Sequence, residues 1–212
     1  MKNSKLVLIN VIVIVLLIAA GGVAIYYYMQ SVNYITTSNA KIDGQAVSVA
    51  SPGSGTLTSW KGNVGETFSI GQQVGSVLTA EGSQSITAPS KGTVVQSSGV
   101  VNTNVAQGTV LARLYDLDSL WVSANISEKD ISDVKLDQTV DVYVDAFSGT
   151  DLTGRVSQIG LATAGTFSLL PTSNTTTNYT KVTQVIPIAI QLDGYRGLSL
   201  APGMSVKIRI HK

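Results

Sequence analysis

The chain has 212 residues, 44% of them apolar and 13% charged, with 20 glycines, no cysteine, one histidine and a net charge of +1. Low charge and frequent glycine favour β-structure with many tight turns, in about one or two small domains. The missing cysteines exclude disulfides, a thiolate nucleophile and cysteine-ligated zinc, and the balanced charge leaves no footprint for nucleic acid.

Leu6 to Met29, LVLINVIVIVLLIAAGGVAIYYYM, carries no charge. As a helix it would span roughly 36 Å, against a hydrocarbon core of about 30 Å. Lys2 and Lys5 precede it, and no basic residue follows until Lys41. The positive-inside rule therefore predicts a cytoplasmic N-terminus and an extracytoplasmic remainder, with Tyr26, Tyr27 and Tyr28 at the interface. Gly22-Val23-Ala24 loosely fits a signal-peptidase site, but the apolar run is longer than a signal h-region. An uncleaved single-pass anchor in the plasma (inner) membrane is the expectation.

The soluble part contains an internal repeat. Val49–Val77 aligns without a gap with Ile86–Leu114: Pro52 falls on Pro89, Gly55 on Gly92, Leu57 on Val94, Val64 on Val101, Phe68 on Val105 and Gly71 on Gly108. Each unit reads as short strands broken by glycine turns. One unit cannot bury its own apolar face, but two can pack face to face as a small sandwich.

Beyond it, Leu120-Trp121-Val122 opens a second segment. Ser127–Lys135 is expected as a short helix with Ser127 as N-cap and Glu128 and Asp130 in the first turn. Strands are predicted from Thr139, and over Gly154–Ile159, Lys181–Leu192 and Ser205–Ile210, separated by Ser148-Gly149, Asp193-Gly194 and Pro202-Gly203 turns. The pattern is that of a small antiparallel β-barrel with one short helix.

The repeat's APxxGTV and VxxGxxL pattern resembles the half-motif of biotinyl/lipoyl domains. Carriers of that class hold a modified lysine on the turn between the halves. Here the connection, Leu78 to Ser85, is LTAEGSQS and has none; Lys61 and Lys91 lie outside it. The lipoyl-like shape is therefore expected without a cofactor. With an anchor in front and a barrel behind, the chain resembles HlyD-type membrane fusion proteins, the adaptors of bacterial export pumps. Tyr34–Leu57, Leu120–Ile131, Gly165–Ile190 (GTFSLLPTSNTTTNYTKVTQVIPIAI) and Leu200–Met204 (LAPGM) are similar to the EmrA-like branch. The resemblance implies four parts: a cytoplasmic N-terminus and transmembrane anchor at 1–30, a linker and leading strand at 31–46, a lipoyl-like β-sandwich at 47–116 and a β-barrel at 117–212. It implies a multidrug efflux adaptor, non-enzymatic, homo-oligomeric and working with an inner-membrane transporter of the major facilitator class. An ABC-type exporter is the alternative partner, and a surface-anchored binding or cell-wall module the alternative function. EmrA-like proteins usually carry a long α-helical hairpin between the halves. Ala80 to Ser85 leaves no room for one, so an outer-membrane channel partner is not expected.

No residue is assigned to catalysis, a cofactor or a metal. His211, the sole histidine, lies beside the last residue, where fraying would deny a serine triad its rigid base. Phe167, Leu169 and Leu170 sit in a Ser/Thr/Asn-rich loop, so they are candidates for partner or substrate-path contact, or for plugging the barrel end. The acidic residues between Asp116 and Asp151 are expected on a solvated face, and Trp60 and Trp121 in packing.

Overall fold

The computed structural model describes residues 2–163 and 184–212, and side chains in its N-terminal helix only at 13–23, 25, 28, 29, 32 and 33. That helix, α1, runs over Lys2–Asn33, and its described side chains are exposed. Within the described residues no helix is long and apolar enough to cross a membrane. The remainder is β-structure in two compact units. One comprises residues 1–40, 124–194 and 206–212; the other comprises 41–123 and 195–205.

The second unit contains the sandwich. Its strands are β2 (Ala46–Ala50), β3 (Gly55–Trp60), β4 (Thr67–Phe68), β5 (Gln73–Thr79), β6 (Gly82–Thr87), β7 (Gly92–Ser97), β8 (Asn104–Val105) and β9 (Val110–Tyr115). They form two four-stranded sheets, ordered β2-β9-β7-β4 and β6-β5-β3-β8. Exchanging the two repeat units turns one order into the other, so the sequence repeat is a structural pseudo-two-fold.

The symmetry reaches individual hydrogen bonds. Leu57 N–H donates to Thr103 O at 2.9 Å, and its counterpart Val94 N–H to Glu66 O at 2.8 Å. Gly108 N–H donates to Ser51 O at 2.9 Å, and Gly71 N–H to Ala88 O at 2.8 Å. Even the register shifts recur: Leu57/Ser59 against β5 matches Val94/Gln96 against β9. Such shifts bend a strand locally, letting short strands wrap one small core. Gly55 faces Val105 and Gly92 faces Phe68. A Cβ would lie 2.0 Å from Leu78 O at Gly55, and 3.0 Å from Tyr115 O at Gly92. The repeated Gly-Thr motif thus marks where a neighbouring strand crosses closely, with no room for a Cβ at Gly55 and a tight fit for one at Gly92. Inside, Val49, Leu57, Val74, Val77, Ile86 and Leu114 form one buried cluster drawn from both halves.

The other sheet is a closed barrel of β1 (Tyr34–Asp43), β10 (Trp121–Ser127), β11 (Thr139–Val144), β12 (Asp151–Ile159), β13 (Val185–Leu192) and β14 (Ser205–His211), ordered β1-β10-β13-β12-β11-β14. Alternation decides its interior: Val140, Val142 and Val144 are buried on β11, and Val206, Ile208 and Ile210 on β14, while the residues between them are not. Closure pairs every strand on both sides and removes the exposed edges of an open sheet.

Two expectations need correction. The helix expected over 127–135 is absent. Ser127 is the last residue of β10, and only Ile131–Asp133 forms a single 3-10 turn, which Asp130 precedes without a side-chain capping bond. A segment this short cannot meet the cost of helix nucleation, although Ser127 Oγ, at the end of β10, still accepts from Lys129 N–H at 3.4 Å. β12 also begins earlier than Gly154, at Asp151. β13 ends at Leu192 as expected and starts at Val185; residues 181–183 of the expected strand lie outside the described residues.

Candidate functional site

The turn between the sandwich halves is where a carrier domain of this shape would hold its lysine. Thr79 pairs with Gly82, leaving Ala80-Glu81 as a two-residue turn. Gly82 takes φ +121°, and Thr79 Oγ1 accepts from Glu81 N–H at 3.3 Å and donates to Gly82 O at 2.9 Å. The connection thus holds neither a lysine nor a helical insertion. Lys91, on the sandwich, is engaged elsewhere: its ammonium lies 2.8 Å from Asp118 Oδ2, and that hydrogen bond with the charges of Asp118 and Asp116 raises its pKa. Beside the turn, Pro52, Gly53, Ser54, Glu81, Gln84 and Gln107 border a shallow, open depression.

On the outside of the barrel, β11 and β14 assemble a charged cluster. Asp141 faces Arg209 across the strand pair. Arg209 Nε and Nη2 donate to Asp141 Oδ2 at 3.0 and 2.8 Å, and His211 Nε2 lies 2.9 Å from the same oxygen. The guanidinium stacks 4.9 Å from the Tyr34 ring centre and 5.7 Å from that of Tyr143. Tyr34 also meets His211 edge-on at 5.0 Å. Burial pushes the Asp141 carboxyl upward, but the bonds and charges of Arg209 and His211 outweigh it and hold it below the usual carboxylate range. Burial likewise pushes the Tyr143 hydroxyl up. His211 is therefore a strand residue fixed by a carboxylate, not the frayed end expected from its place in the sequence. The group it meets is an acceptor already shared with an arginine.

A second polar contact lies in the unit of the sandwich. Tyr195 Oη accepts from Leu120 N–H at 2.7 Å and donates to Leu120 O at 3.4 Å. The same loop pairs with β1 through Ile42 N–H to Met204 O and Gly203 N–H to Ile42 O, both at 2.8 Å. Burial raises the Tyr195 pKa against the opposing Leu120 backbone bond.

Phe167, Leu169 and Leu170 lie outside the described residues. Trp60 packs against the sandwich core and donates Nε1–H to Ser97 Oγ at 3.0 Å. Trp121 is half-buried at the start of β10. Of the acidic stretch, Asp141 is drawn into the cluster above, its side chain only 18% exposed, whereas Asp118 remains 79% exposed. Among the described residues no group of three or more His, Cys, Asp or Glu is placed to hold a metal. Sequence reasoning missed the Asp141–Arg209–His211 cluster and Tyr195. The only signal for the cluster was a pair of alternating strands carrying opposite charges on their outward positions, with no indication of their register.

Comparison with known proteins matches residues 45–116 to the family described as YhbJ, barrel-sandwich hybrid domain, and residues 120–210 to the YknX-like beta-barrel domain. YhbJ of Bacillus subtilis (strain 168) is 37% identical over 212 residues, covering 99% of this chain and 94% of that protein. The multidrug export protein EmrA of Escherichia coli (strain K12) is 33% identical over 110 residues, which are 51% of this chain but only 28% of that protein. Among solved structures, MacA from Actinobacillus actinomycetemcomitans superimposes with a TM-score of 0.67 at 14% identity, over 84% of this chain and 79% of that one. The periplasmic adaptor protein EmrA superimposes with a TM-score of 0.56 at 10% identity, over 85% of this chain and 99% of that one. At those identities the two structures speak to fold alone. With a lipoyl-like sandwich closed by a two-residue turn, a six-stranded barrel and a full-length relative in YhbJ, the chain belongs to the non-enzymatic membrane fusion (adaptor) proteins, in their EmrA-like branch and without the helical hairpin.

Proposed function

We propose that this protein is the membrane-anchored, extracytoplasmic adaptor subunit of a small-molecule efflux pump, working with a transporter of the major facilitator class. The observation that carries the reading is the two-residue Ala80-Glu81 turn on a complete lipoyl-like sandwich. It leaves a carrier fold with no group to carry, so the module serves as a rigid building block. The efflux-system name of YhbJ and the multidrug-export name of EmrA support the pump context. The uncharged Leu6–Met29 stretch within α1, preceded by Lys2 and Lys5, supports an anchor with its N-terminus in the cytoplasm.

In this reading the transporter supplies energy and the substrate path. The adaptor supplies geometry: copies of the chain surround the exit, and the segment bearing Phe167, Leu169 and Leu170 contacts the transporter or its cargo. Without a helical hairpin the adaptor does not reach an outer-membrane channel.

Affinity purification from membranes in mild detergent, followed by identification of co-purifying proteins, tests the reading. A major facilitator transporter is expected. Failure to recover any transporter after gentle cross-linking would overturn the adaptor role, and recovery of an ATP-driven exporter would replace the partner class. Removal of Leu6 to Met29 should leave a folded protein that no longer supports export.

A further inference from the structure

One end of the barrel gathers the end of α1 and the loops that follow β10 and β12. The Lys212 N–H donates to the carbonyl of Asn33, the last residue of α1, at 3.0 Å. β10 ends and β13 begins there, joined by Glu128 N–H to Gln184 O at 3.0 Å. β11 begins there too, with Val140 opposite Ile210 near the end of β14. β12 runs to the same end and finishes at Ile159, opposite Ile188. The described rim at this end is therefore residues 128–138, residues 160–163 and the junction of α1 with β1.

Outside α1, two large apolar side chains of this unit are exposed among the described residues, and both lie on that rim. Leu136 is 59% exposed and Leu161 fully exposed. Val32, in the last turn of α1, is 47% exposed and borders a depression shared with Lys135, next to Leu136. At the opposite end of the barrel the turn after β11 keeps its one large apolar side chain, Phe147, half-buried. Single exposed leucines are ordinary on protein surfaces; their segregation to one end is what needs a cause.

The backbone beside each leucine is tied down. Leu136 sits between Lys135, whose N–H donates to Gln138 Oε1 at 2.8 Å, and Asp137, whose N–H donates to Val156 O at 2.9 Å. Asp137 holds φ at +63°, a conformation uncommon for a residue other than glycine. Before Leu161, Gly160 N–H donates to Pro187 O at 2.8 Å, and a Cβ on Gly160 would lie 2.8 Å from that same oxygen. Both leucines are thus presented by backbone pinned to the barrel.

The charges around them supply no attraction to an anionic surface. Over 128–138 and at Lys212, four carboxylates (Glu128, Asp130, Asp133 and Asp137) stand against three ammonium groups (Lys129, Lys135 and Lys212). What this rim offers a partner is apolar area.

We propose that this end of the barrel rests on the lipid bilayer, with Leu136 and Leu161 inserted at the boundary between headgroups and acyl chains. The proposal rests on the anchor reading, under which α1 enters the bilayer from this same end. The anchor holds the rim at the surface, so insertion of each leucine is an intramolecular step at high effective concentration. Taking one leucine side chain out of water favours the docked state by roughly tenfold or more. Contact through two loops fixes the tilt of the barrel over the membrane, which a single helical tether leaves free.

The chain has no cysteine, so introduced cysteines report one position each. Leu136→Cys, Leu161→Cys and, at the opposite end of the barrel, Ser148→Cys are made in the full chain, nitroxide-labelled and reconstituted into phosphatidylcholine nanodiscs. Power-saturation electron paramagnetic resonance then compares access to oxygen, which concentrates among acyl chains, with access to a neutral nickel chelate, which stays in water. The labels at 136 and 161 should show several-fold more oxygen access and several-fold less nickel access than the label at 148. Adding phosphatidylglycerol or salt should change neither. Leu161→Ser should weaken the lipid contact of the label at 136, because the two loops dock together. Nickel access equal to that at 148 would overturn the docking. So would shielding from both reagents, as contact between copies would give, or a lipid contact at 136 indifferent to Leu161→Ser. Retention of the chain in membranes through an alkaline wash reports on the anchor separately. Retention with water-exposed labels overturns the docking alone; release by the wash overturns the anchor on which it stands.

Discussion

The indole of Trp60 lies against Gly99, where a Cβ would come within 2.5 Å of the ring. Gly62 and Gly75 press on the same indole, with Cβ distances of 2.6 Å and 2.8 Å to its atoms. The ring closes the open side of the sandwich core in a slot that only glycines leave free, and its Nε1–H is spent on Ser97. Replacing Gly99 by Ala should displace the indole and destabilise the chain by about 1–3 kcal/mol through overpacking. Denaturant unfolding followed by tryptophan emission checks this, and a red-shifted native spectrum is expected alongside the lower midpoint.

Gly71 and Gly108 occupy equivalent turns of the repeat, with φ of +75° and +80°. Both have open space where a Cβ would go, so only the backbone conformation resists substitution. Each change to Ala should cost about 1–2 kcal/mol, and the two should match. Unequal midpoints would show that the two halves of the sandwich are not energetically equivalent.

Asp141 holds its cluster only while ionised. Its folded pKa lies below the ordinary carboxylate value, so its stabilising contribution is fully present above that value. It is lost as pH falls through the folded pKa, because protonation then favours the unfolded chain. Asp141→Asn should lower stability at neutral pH by about 1.5–3 kcal/mol, the scale of a hydrogen bond to a charged group. It should also flatten the acid limb of the stability–pH curve. An acid limb as steep as the parent's would rule out this carboxylate as its source.

Tyr195→Phe removes a hydroxyl that serves both backbone groups of Leu120, a fully buried residue. The vacated Leu120 N–H should cost about 1–3 kcal/mol. Faster exchange of the Leu120 amide, measured by NMR, should accompany it, while amides of β11 should stay as they were.

The legible part of this protein was local. Alternating apolar positions and glycine turns at matching spacings exposed the repeat, and two such units imply a sandwich because neither buries its face alone. The same alternation marked β11 and β14, and their inward valines and isoleucines are the barrel core. The reading failed at 127–135, where a favourable cap residue suggested a helix. The backbone of Ser127 ends strand β10 instead, and strand pairing is a long-range event that no local propensity records.

By itself, then, the sequence determined the apolar N-terminal stretch, the duplicated half-motif, the missing lysine and the short turn between halves, since each depends on residue type and spacing alone. The tertiary structure decided which charges meet. Register between β11 and β14 sets Asp141 against Arg209 and brings His211 to the same oxygen. Barrel closure brings Lys135 and Lys212 to Val32 at the end of a helix that has no cation of its own there. Contacts of that kind join residues 68 and 70 positions apart, and only the closed sheet specifies them.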